Sequence, residues 1–597
     1  MSQLLIAQGD DSPETKALFE RGVEAFEKIY QLHPADSVAG PADSVAVFPN
    51  YQGKASPVHR PATTPGWICG AGCWFFEGVA GEAALRRMGQ RPRDAAGQWL
   101  GDIDGTFALA LRDGSTGKLV VVTDRLGTLH VYTARLGSAV LICTSSLVLA
   151  ALLRPAWDPV GCREFLATGT IFESRTQWAG IEKLPPAGLF EFFHGKPSAS
   201  AKYWNVADCM YDRSPERGNV PKLAAALRES VAVVGGNFPR PLFDLTGGLD
   251  SRSVVGAAVA GRVPFETTVN GPDDSPDVLA AAEVARYLGL RHQHNMRGFS
   301  SAAEWWQATG DALRLCDGEQ DAAQYASTVA AHRGSSIAHD ASVNGSNGEV
   351  CKGYWWELLF PFTRWRSHFD ARKVASGRFV YAGEAPGLLA TPYNETLADL
   401  FTGIIGRANA GLERHPNTAK LDNVYLTLRM QRWQGRIASS TMRIWPCVSP
   451  FTFRRPMELA LSTPPFDRLR NRMSRRMVEY LDPRLAALPL AEGYPASPLR
   501  PWNAHRFLLP AARLVMETAG SRLGLHSHPA GPGRPNLWQV DEVCGLLEPA
   551  RMASRDLYQA KTLAALIAES RKKPLDRPQL VTRILTLEML ARMVNRT

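Results

Sequence analysis

Long apolar runs are missing from this chain of 597 residues. No stretch approaches the roughly 18 uninterrupted apolar residues that a membrane-spanning helix requires. The N-terminus reads Met-Ser-Gln-Leu-Leu and lacks the basic region and sustained apolar segment of a secretion signal, and Asp10 and Asp11 follow at once. These absences predict a soluble, cytoplasmic protein with no membrane partner.

Cysteine is also sparse, and it shows no pairing pattern. The nine cysteines are an odd number and are scattered along the chain. Cys69 and Cys73 are four residues apart, but no second cysteine or histidine pair lies near them in sequence to complete a zinc site. We expect these two residues to be buried in a core and all nine thiols to be free, as in a reducing cytosol.

Charge of one sign is in small excess only. The chain has 67 Lys and Arg against 58 Asp and Glu, a formal net charge of +9 that is spread along its whole length. Nucleic-acid binding would need a focused basic stripe, which the sequence does not show. The composition is that of a globular protein and the length predicts two or three domains. We therefore expect nucleotides or peptide carboxylates as partners, and no nucleic acid.

The first part of the chain has the pattern of an antiparallel β protein. From about residue 45 to residue 193, short apolar runs are separated by Gly, Asp and Pro. FALALR at 107–112 and LVVVT at 119–123 flank a turn and predict a hairpin. About 40 residues before the first recognisable strand are interpreted as an extension. The prediction is a sheet-rich domain over residues 1–205.

The second part alternates strands and helices. PLFDL at 241–245 predicts a short strand, and a helix at 251–260 follows a glycine turn. A second strand at 265–269 leads to a helix at 278–288. This order predicts a parallel sheet with helices on both faces, followed from about residue 355 by a mostly helical extension. A polar linker near 205–220 separates the halves, which places the second domain at 215–597.

The most informative motif is LTGGLDSR at 245–252, between a predicted strand and a predicted helix. Paired glycines let the backbone approach an anion closely, while Thr246, Ser251 and the helix N-terminus supply donors. Asp250 is an acid in a site built for anions, which makes sense if Mg²⁺ bridges it to phosphates. The motif is neither of the two common nucleotide fingerprints. It predicts ATP and Mg²⁺ as the cofactors.

This loop resembles the SGGxDS pyrophosphate loop of enzymes that cleave ATP to AMP and pyrophosphate, with Thr246 in place of the first serine. Three further segments resemble the asparagine synthetase family in the same order along the chain. They are the glutaminase-like stretch at 105–146, the helix that begins with Asp277, and NGSNGEVCKGY at 344–354, which resembles the acidic GxGxDExxxGY loop. The resemblance covers residues 45–490. It implies an α/β protein with an N-terminal glutaminase-like, Ntn-type antiparallel β-sandwich and a C-terminal parallel sheet like that of the adenine-nucleotide α-hydrolases, with a large helical extension.

One departure from that family bears on the nitrogen source. Members that use glutamine begin, once the initiator Met is removed, with a nucleophilic cysteine, whereas position 2 here is Ser2. An inactive glutaminase-like domain is therefore expected, and the nitrogen comes from free ammonia or from an amine of the substrate. The pattern is most similar to the lasso peptide macrolactam cyclases and the β-lactam synthetase-like members. This implies cyclisation of a lasso core peptide between its N-terminal amine and an Asp or Glu side chain, through an acyl-adenylate. Leader peptidase or leader-binding proteins are the implied partners.

Three further departures concern individual site residues. The acidic pair of the family appears as Gly348-Glu349, and the usual aspartate of its PFLD segment is absent from 450–453. The family's catalytic lysine has no counterpart around 485–494, and the candidates for its role are Lys352, Arg454, Arg455, Arg472 and Arg475.

The resemblance implies Asp250, Glu349 and Lys352 as catalytic residues, with Asp250 and Glu349 as metal ligands. Asp317 and Tyr325 fall where relatives line the acyl-acceptor pocket, although core or surface packing is the favoured explanation for both. The residues expected to contact ATP are Leu245, Thr246, Gly247, Gly248, Asp250, Ser251, Val269, Asn270 and Gly271.

Three alternatives remain open from the sequence. The first is an ammonia-dependent synthetase that amidates a small or sugar carboxylate. The second is a tRNA-modifying enzyme with a similar loop, which the diffuse charge and the missing zinc cysteines disfavour. The third is a non-catalytic relic that binds a peptide, which the lost acid and lysine make credible.

Overall fold

Three β-sheets organise the chain in the computed structural model, which describes residues 3–40, 42–62, 66–90, 98–296, 298–357, 368–380, 385–508, 510, 536–573, 575 and 577–597. Two of the sheets are antiparallel and precede residue 203, and the third is parallel and follows residue 240. A mixed α/β fold is therefore confirmed. The strands are β1 (Gln3–Gln8), β2 (Asp36–Ala39), β3 (Asp43–Phe48), β4 (Gly66–Phe76), β5 (Val79–Ala80), β6 (Ile103–Asp113), β7 (Leu119–Thr123), β8 (Tyr132–Leu136), β9 (Ala139–Cys143), β10 (Glu182–Lys183), β11 (Gly188–Phe193), β12 (Lys196–Lys202), β13 (Pro241–Asp244), β14 (Glu266–Asn270), β15 (His292–Asn295), β16 (Ala341–Val343) and β17 (Cys447–Val448).

The two antiparallel sheets have six strands each. Their strand orders are β10-β8-β9-β1-β3-β2 and β12-β11-β7-β6-β4-β5. Apolar side chains from both, among them Ile6 and Val47 from one sheet and Cys73 and Val121 from the other, are buried in one core. The predicted hairpin is present, because β6 pairs with β7 in register from Ala108 opposite Thr123 to Arg112 opposite Leu119.

The prediction of an N-terminal extension outside the sheets is wrong. Strand β1 lies between β3 and β9 near the middle of its sheet, and all six of its residues are buried. The helix Pro13–Tyr30 follows it and packs its apolar face on the same sheet. A short, continuously apolar strand has no alternating pattern, so periodicity cannot separate it from the start of a helix.

The parallel sheet has the strand order β15-β14-β13-β16-β17. The predicted strand, turn and helix around residue 245 are confirmed, as β13 followed by the helix Leu249–Ala260. No helix in the described part of the chain is both long and apolar enough to cross a bilayer. The α-helices run over Pro13–Tyr30, Gly81–Gly89, Ser146–Leu153, Pro159–Thr168, Val206–Cys209, Val220–Asn237, Leu249–Ala260, Pro276–Leu288, Ala302–Leu315, Ala322–Ala338, Ala371–Arg378, Leu397–Ala408, Asn417–Val424, Gly435–Ile444, Arg454–Leu461, Pro465–Arg468, Arg472–Leu481, Pro483–Ala487, Asp541–Leu546, Ala560–Lys572 and Pro578–Arg596.

One long helix, over residues 417–444, contains a π-helical segment. Asn417–Val424 and Gly435–Ile444 are α-helical, and the ten residues Tyr425–Gln434 between them have π-helical hydrogen bonding. π-Helical turns inside α-helices are rare and concentrate at functional sites. This segment lies beside the acidic loop described below.

A buried ion network joins the antiparallel and parallel parts. Asp317 is 0% exposed and accepts hydrogen bonds from Arg436 and Arg443 of the second part and from Tyr30 and Ser145 of the first. The core is continuous across this region, because one cluster of buried apolar residues includes members of both parts. The predicted division between residues 205 and 215 stays a prediction.

Candidate active site

The glycine turn of the LTGGLDSR motif closes the gap between β13 and the helix Leu249–Ala260. The Thr246 amide and hydroxyl both lie 3.1 Å from Ser251 Oγ. The Gly247 amide donates to Asp277 Oδ1 at 2.9 Å, which fixes the turn against the next helix. Gly248 begins the helix without any side-chain cap. An uncapped helix N-terminus beside two glycines can receive an anion.

Three predicted catalytic residues converge above this turn. Lys352 Nζ donates to Asp250 Oδ2 at 2.5 Å, and both side chains are 18% exposed. Asp250 Oδ1 is buried and has no hydrogen-bond partner among the described residues. Glu349 acts electrostatically on both Asp250 and Lys352. The structure therefore brings Asp250 together with Glu349 and Lys352, which lie 99 and 102 residues further along the chain.

Burial and neighbouring charge tune these groups in opposite directions. Burial raises the pKa of Asp250 to about 6, with Lys352 opposing and Glu349 reinforcing the shift. Burial would lower the pKa of Lys352, but the Asp250 and Glu349 carboxylates outweigh it and the pKa of this ammonium is raised. Lys352 is consequently positively charged at neutral pH. The carboxyl beside it, Asp250, has a pKa of about 6 and titrates close to neutral pH.

Two glycines of the 344–354 loop set how closely it packs on the turn. A Cβ on Gly345 would lie 2.7 Å from the Ser251 amide nitrogen, and one on Gly348 would lie 2.6 Å from Asp250 Cγ. Side chains cannot approach that closely. Gly348 stands where the family has the first residue of its acidic pair. Because it has no side chain, the loop can pack closely enough on Asp250 for Lys352 to reach that carboxylate.

Tyr425 binds the Glu349 carboxylate, and its sequence context did not predict it as a site residue. Its hydroxyl donates to Glu349 Oε2 at 2.9 Å, and burial raises its pKa well above the usual value. From the same π-helical segment, Gln434 donates to Ser346 Oγ at 2.8 Å. No local sequence signal marks either residue, because the contacts join segments 76 and 88 residues apart.

A cavity of about 190 Å³ lies at the carboxyl edge of the parallel sheet. Asp244, Asn270, Asn344 and Ser346 are among the polar residues that line it, and Asn270 Oδ1 is buried with no hydrogen-bond partner in the described part of the chain. This edge is where open parallel sheets usually bind ligands. Asn270 is thus well placed for the predicted nucleotide contact.

The neighbours of Asn270 are less available. Val269 lies within β14, which is paired on both sides. The Gly271 amide donates to the Asn295 carbonyl, and the Gly271 carbonyl accepts from His294 Nε2. Backbone contacts from Val269 and Gly271 to ATP stay a prediction, and for Gly271 they would require exchange of these partners.

Five basic residues were predicted as replacements for the family's catalytic lysine, and of these Lys352 contacts Asp250. The arginines make other contacts. Arg454 pairs with Glu458, Arg455 with Glu216, and Arg475 donates to the Pro495 and Ser497 carbonyls, while Arg472 lies over the Phe466 ring.

Asp317 and Tyr325 do not line this cavity. Asp317 belongs to the buried network, and the Tyr325 hydroxyl donates to the Ile437 carbonyl within the core. For both residues core packing is the correct interpretation. The prediction based on Ser2 lies outside the described residues.

The cysteine predictions are confirmed for all nine residues. Each is a free thiol, and eight are buried, including Cys69 and Cys73. Burial raises the pKa of Cys73 to about 12. The described residues contain no group of three or more His, Cys, Asp or Glu side chains placed to hold a metal. The Mg²⁺ site at Asp250 and Glu349 therefore stays a prediction.

Comparisons with known proteins agree with the expected family. Residues 93–204 match the family model of a glutamine amidotransferase domain. A carboxyethyl-arginine beta-lactam-synthase of Streptomyces clavuligerus is 26% identical over 191 residues, which are 32% of this chain and 35% of that protein. The match thus spans about a third of the length of this curated relative. Both similarities are therefore partial, and each covers less than a third of this chain.

Two solved structures are also similar in part. One is a glutamine phosphoribosylpyrophosphate amidotransferase from B. subtilis complexed with ADP and GMP, at 10% identity, 49% of this chain, 65% of that chain and a TM-score of 0.22. The other is described as the allosteric regulatory enzyme of purine biosynthesis, at 9% identity, 50% of this chain, 80% of that chain and a TM-score of 0.23.

Proposed function

We propose that this protein activates a carboxylate with ATP and converts the acyl-adenylate to an amide. A carboxylate oxygen attacks the α-phosphorus, the bond from the α-phosphorus to the bridging oxygen breaks, and pyrophosphate leaves. An amine then attacks the acyl carbon, loses a proton, and AMP leaves. The observation that carries the proposal is the meeting of Asp250, Glu349 and Lys352 over the uncapped turn.

Each residue has a role suited to its surroundings. The turn amides and Lys352 offset negative charge on the departing pyrophosphate. Glu349, oriented by the Tyr425 hydroxyl, accepts the proton of the attacking amine. The unpartnered Asp250 Oδ1 and the nearby Glu349 carboxylate fit a divalent cation, since Mg²⁺ prefers oxygen ligands. Bound there, Mg²⁺ would supply further charge compensation to the phosphates.

The finer proposal concerns the substrate. We infer that the amine belongs to the same molecule as the carboxylate and that the substrate is a lasso core peptide, closed between its N-terminal amine and an Asp or Glu side chain. The partial similarity to a beta-lactam-synthase supports an intramolecular amide. In this proposal the antiparallel half is an inactive glutaminase-like sandwich over residues 1–205, the parallel half is α-hydrolase-like over 215–597, and leader-processing proteins are partners of this cytoplasmic enzyme.

Exchange of labelled pyrophosphate into ATP tests the chemistry. Wild-type protein with Mg²⁺ and a carboxylate substrate is expected to show exchange and to release AMP, and Asp250→Asn is expected to lose it. Asp212→Asn, on an exposed residue outside the site, is the matched control. Formation of ADP, or full exchange in Asp250→Asn, would overturn the proposal.

A second assay tests the substrate. A linear precursor peptide should yield a product lighter by one water, and ammonium should not support turnover without the peptide. Turnover with ammonium and a small carboxylate would instead assign the ammonia-dependent alternative. No exchange with any carboxylate would identify a relic.

A further inference from the structure

A larger cavity of about 490 Å³ lies where the antiparallel half meets the helical extension. Its walls combine residues 163–172 of the first half with residues from 320 to 583 of the second. The volume is in the range of ligand pockets. The catalytic steps proposed above do not use this space.

The lining of this cavity is cationic and aromatic. Five arginines line it beside one aspartate, Asp321, within the described part of the chain. The Asp321 carboxylate already accepts from the Gln324 amide and the Thr582 hydroxyl. The arginines among the described lining residues are Arg163, Arg378, Arg429, Arg577 and Arg583.

Rings and backbone carbonyls fix several of these arginines in place. The Arg163 guanidinium lies 3.5 Å from the Tyr393 ring centroid, and that of Arg429 lies 3.7 Å from the Trp433 ring centroid. Arg378 donates to the Trp355 carbonyl at 3.2 Å. A guanidinium already held beside a ring loses less entropy when it binds a carboxylate. This arrangement is pre-organised for planar anions.

The cavity is connected to the candidate active site through two short paths. Tyr354 and Trp355 line the cavity and come two and three residues after Lys352 along the chain. The Trp355 ring centroid lies 5.9 Å from that of Tyr425, whose hydroxyl binds Glu349. In the π-helical segment, Arg429 and Trp433 face the cavity four and eight residues after Tyr425.

We propose that this arginine-lined cavity is the substrate-recognition site and that it binds a peptide segment bearing carboxylates other than the one being activated. A peptide suits the site because amide and hydroxyl groups of Gln320, Gln324 and Thr170 lie among the arginines and can pair with its backbone. The inference rests on the proposed function, since the bound segment belongs to the same substrate. Binding itself needs no ATP, which separates the two experimentally.

Calorimetry with two probe peptides on the full-length protein tests the site. The acidic probe is Ac-Gly-Glu-Tyr-Asp-Gly-NH2, and the neutral probe replaces Glu by Gln and Asp by Asn. The acidic probe should bind about tenfold or more tightly than the neutral one, as expected for two charge-assisted contacts. Equal affinities, or no heat of binding up to about 1 mM acidic probe, would overturn the inference.

Paired variants locate the binding. Arg429→Gln should weaken the acidic probe about tenfold and leave the neutral probe unchanged. Arg429→Lys should keep part of the affinity, because it retains charge but loses the planar fork. Arg228→Gln removes an exposed arginine outside both cavities and should change neither. Equal loss in Arg228→Gln would show that general basic charge attracts the probe.

The pyrophosphate-exchange assay is run in parallel. Selective probe binding without exchange would leave the cavity assigned and refute the proposed chemistry. Exchange that persists while the two probes bind equally would support the proposed chemistry and refute the assignment of the cavity.

Discussion

Replacing Asp317 by Asn should destabilise the protein more than any surface change. The Asp317 carboxylate accepts from Arg436 at 2.9 Å, from Arg443 at 2.8 and 2.9 Å, from Tyr30 at 2.6 Å and from Ser145 at 2.7 Å. Asn keeps the size of the side chain and removes its charge. Two buried guanidiniums would then face no carboxylate at this point, and breaking a buried pair typically costs about 3–5 kcal/mol. We expect a loss of that order in the free energy of unfolding.

Because Tyr30 and Ser145 come from one half and both arginines from the other, the variant should also uncouple the halves. Urea unfolding followed by fluorescence and by circular dichroism should separate into two transitions in Asp317→Asn, since large proteins need not unfold in one step. Asp422→Asn is the matched control. Asp422 is a buried partner of Arg468 at 2.6 Å, wholly within the second half. It should lose stability without splitting the transition.

The pH dependence of the difference supplies a further check. Burial alone would raise the pKa of Asp317, but Arg443 and Arg436 outweigh it and hold the pKa below its usual value. A depressed carboxyl pKa contributes stability that is present above the unfolded-state pKa near 4 and is lost as the pH falls through the folded-state value. Wild type and variant should therefore converge in acid. A loss under about 1 kcal/mol at neutral pH would refute the network as a stabilising link.

Four other changes probe the site and the core. Pyrophosphate exchange should fall as the pH drops through about 6, where Asp250 takes up a proton. Tyr425→Phe should leave exchange intact and slow amide formation about tenfold, since the tyrosine orients Glu349; equal loss in both assays would argue for a merely structural role. Gly348→Ala should abolish exchange, because its Cβ would lie 2.6 Å from Asp250 Cγ, whereas Gly545→Ala, with open space around it, should have no effect. A thiol reagent applied to the native protein should modify Cys544 first, since the other eight cysteines are buried, and rapid reaction of several thiols would contradict that packing.

Elements with a dense local signal were predictable from the sequence. The strand, glycine turn and helix around residue 245 carry apolar residues, paired glycines and first-turn polar residues within 20 positions, and the structure has each of them. The hairpin β6–β7 is equally local. Strand β1 was not predictable in this way, because its place between β3 and β9 depends on pairing with residues 43–48 and 140–143.

The site residues also differ in how much local sequence signal marks them. Asp250, Glu349 and Lys352 each lie in a recognisable motif, so they could be named before their contact was known. Tyr425 and the five cavity arginines lie in segments without motifs and meet only through folding. Arginine on a helix surface usually indicates solvent exposure, and only the tertiary structure shows which arginines face a cavity.

The 344–354 loop and the π-helical segment together give the chain a way to couple its two cavities. Ser346 and Gln434 line the smaller cavity and are hydrogen-bonded to each other, while Tyr354 and Trp433 line the larger one. Both segments therefore contact both spaces, and they are also joined by the hydrogen bond from the Tyr425 hydroxyl to Glu349. A ligand in the larger cavity that shifts the π-helical segment must also move Tyr425 and hence Glu349. Since packed interiors respond to such shifts as connected units, occupancy of one cavity should alter affinity in the other, and the coupling must be equal in both directions.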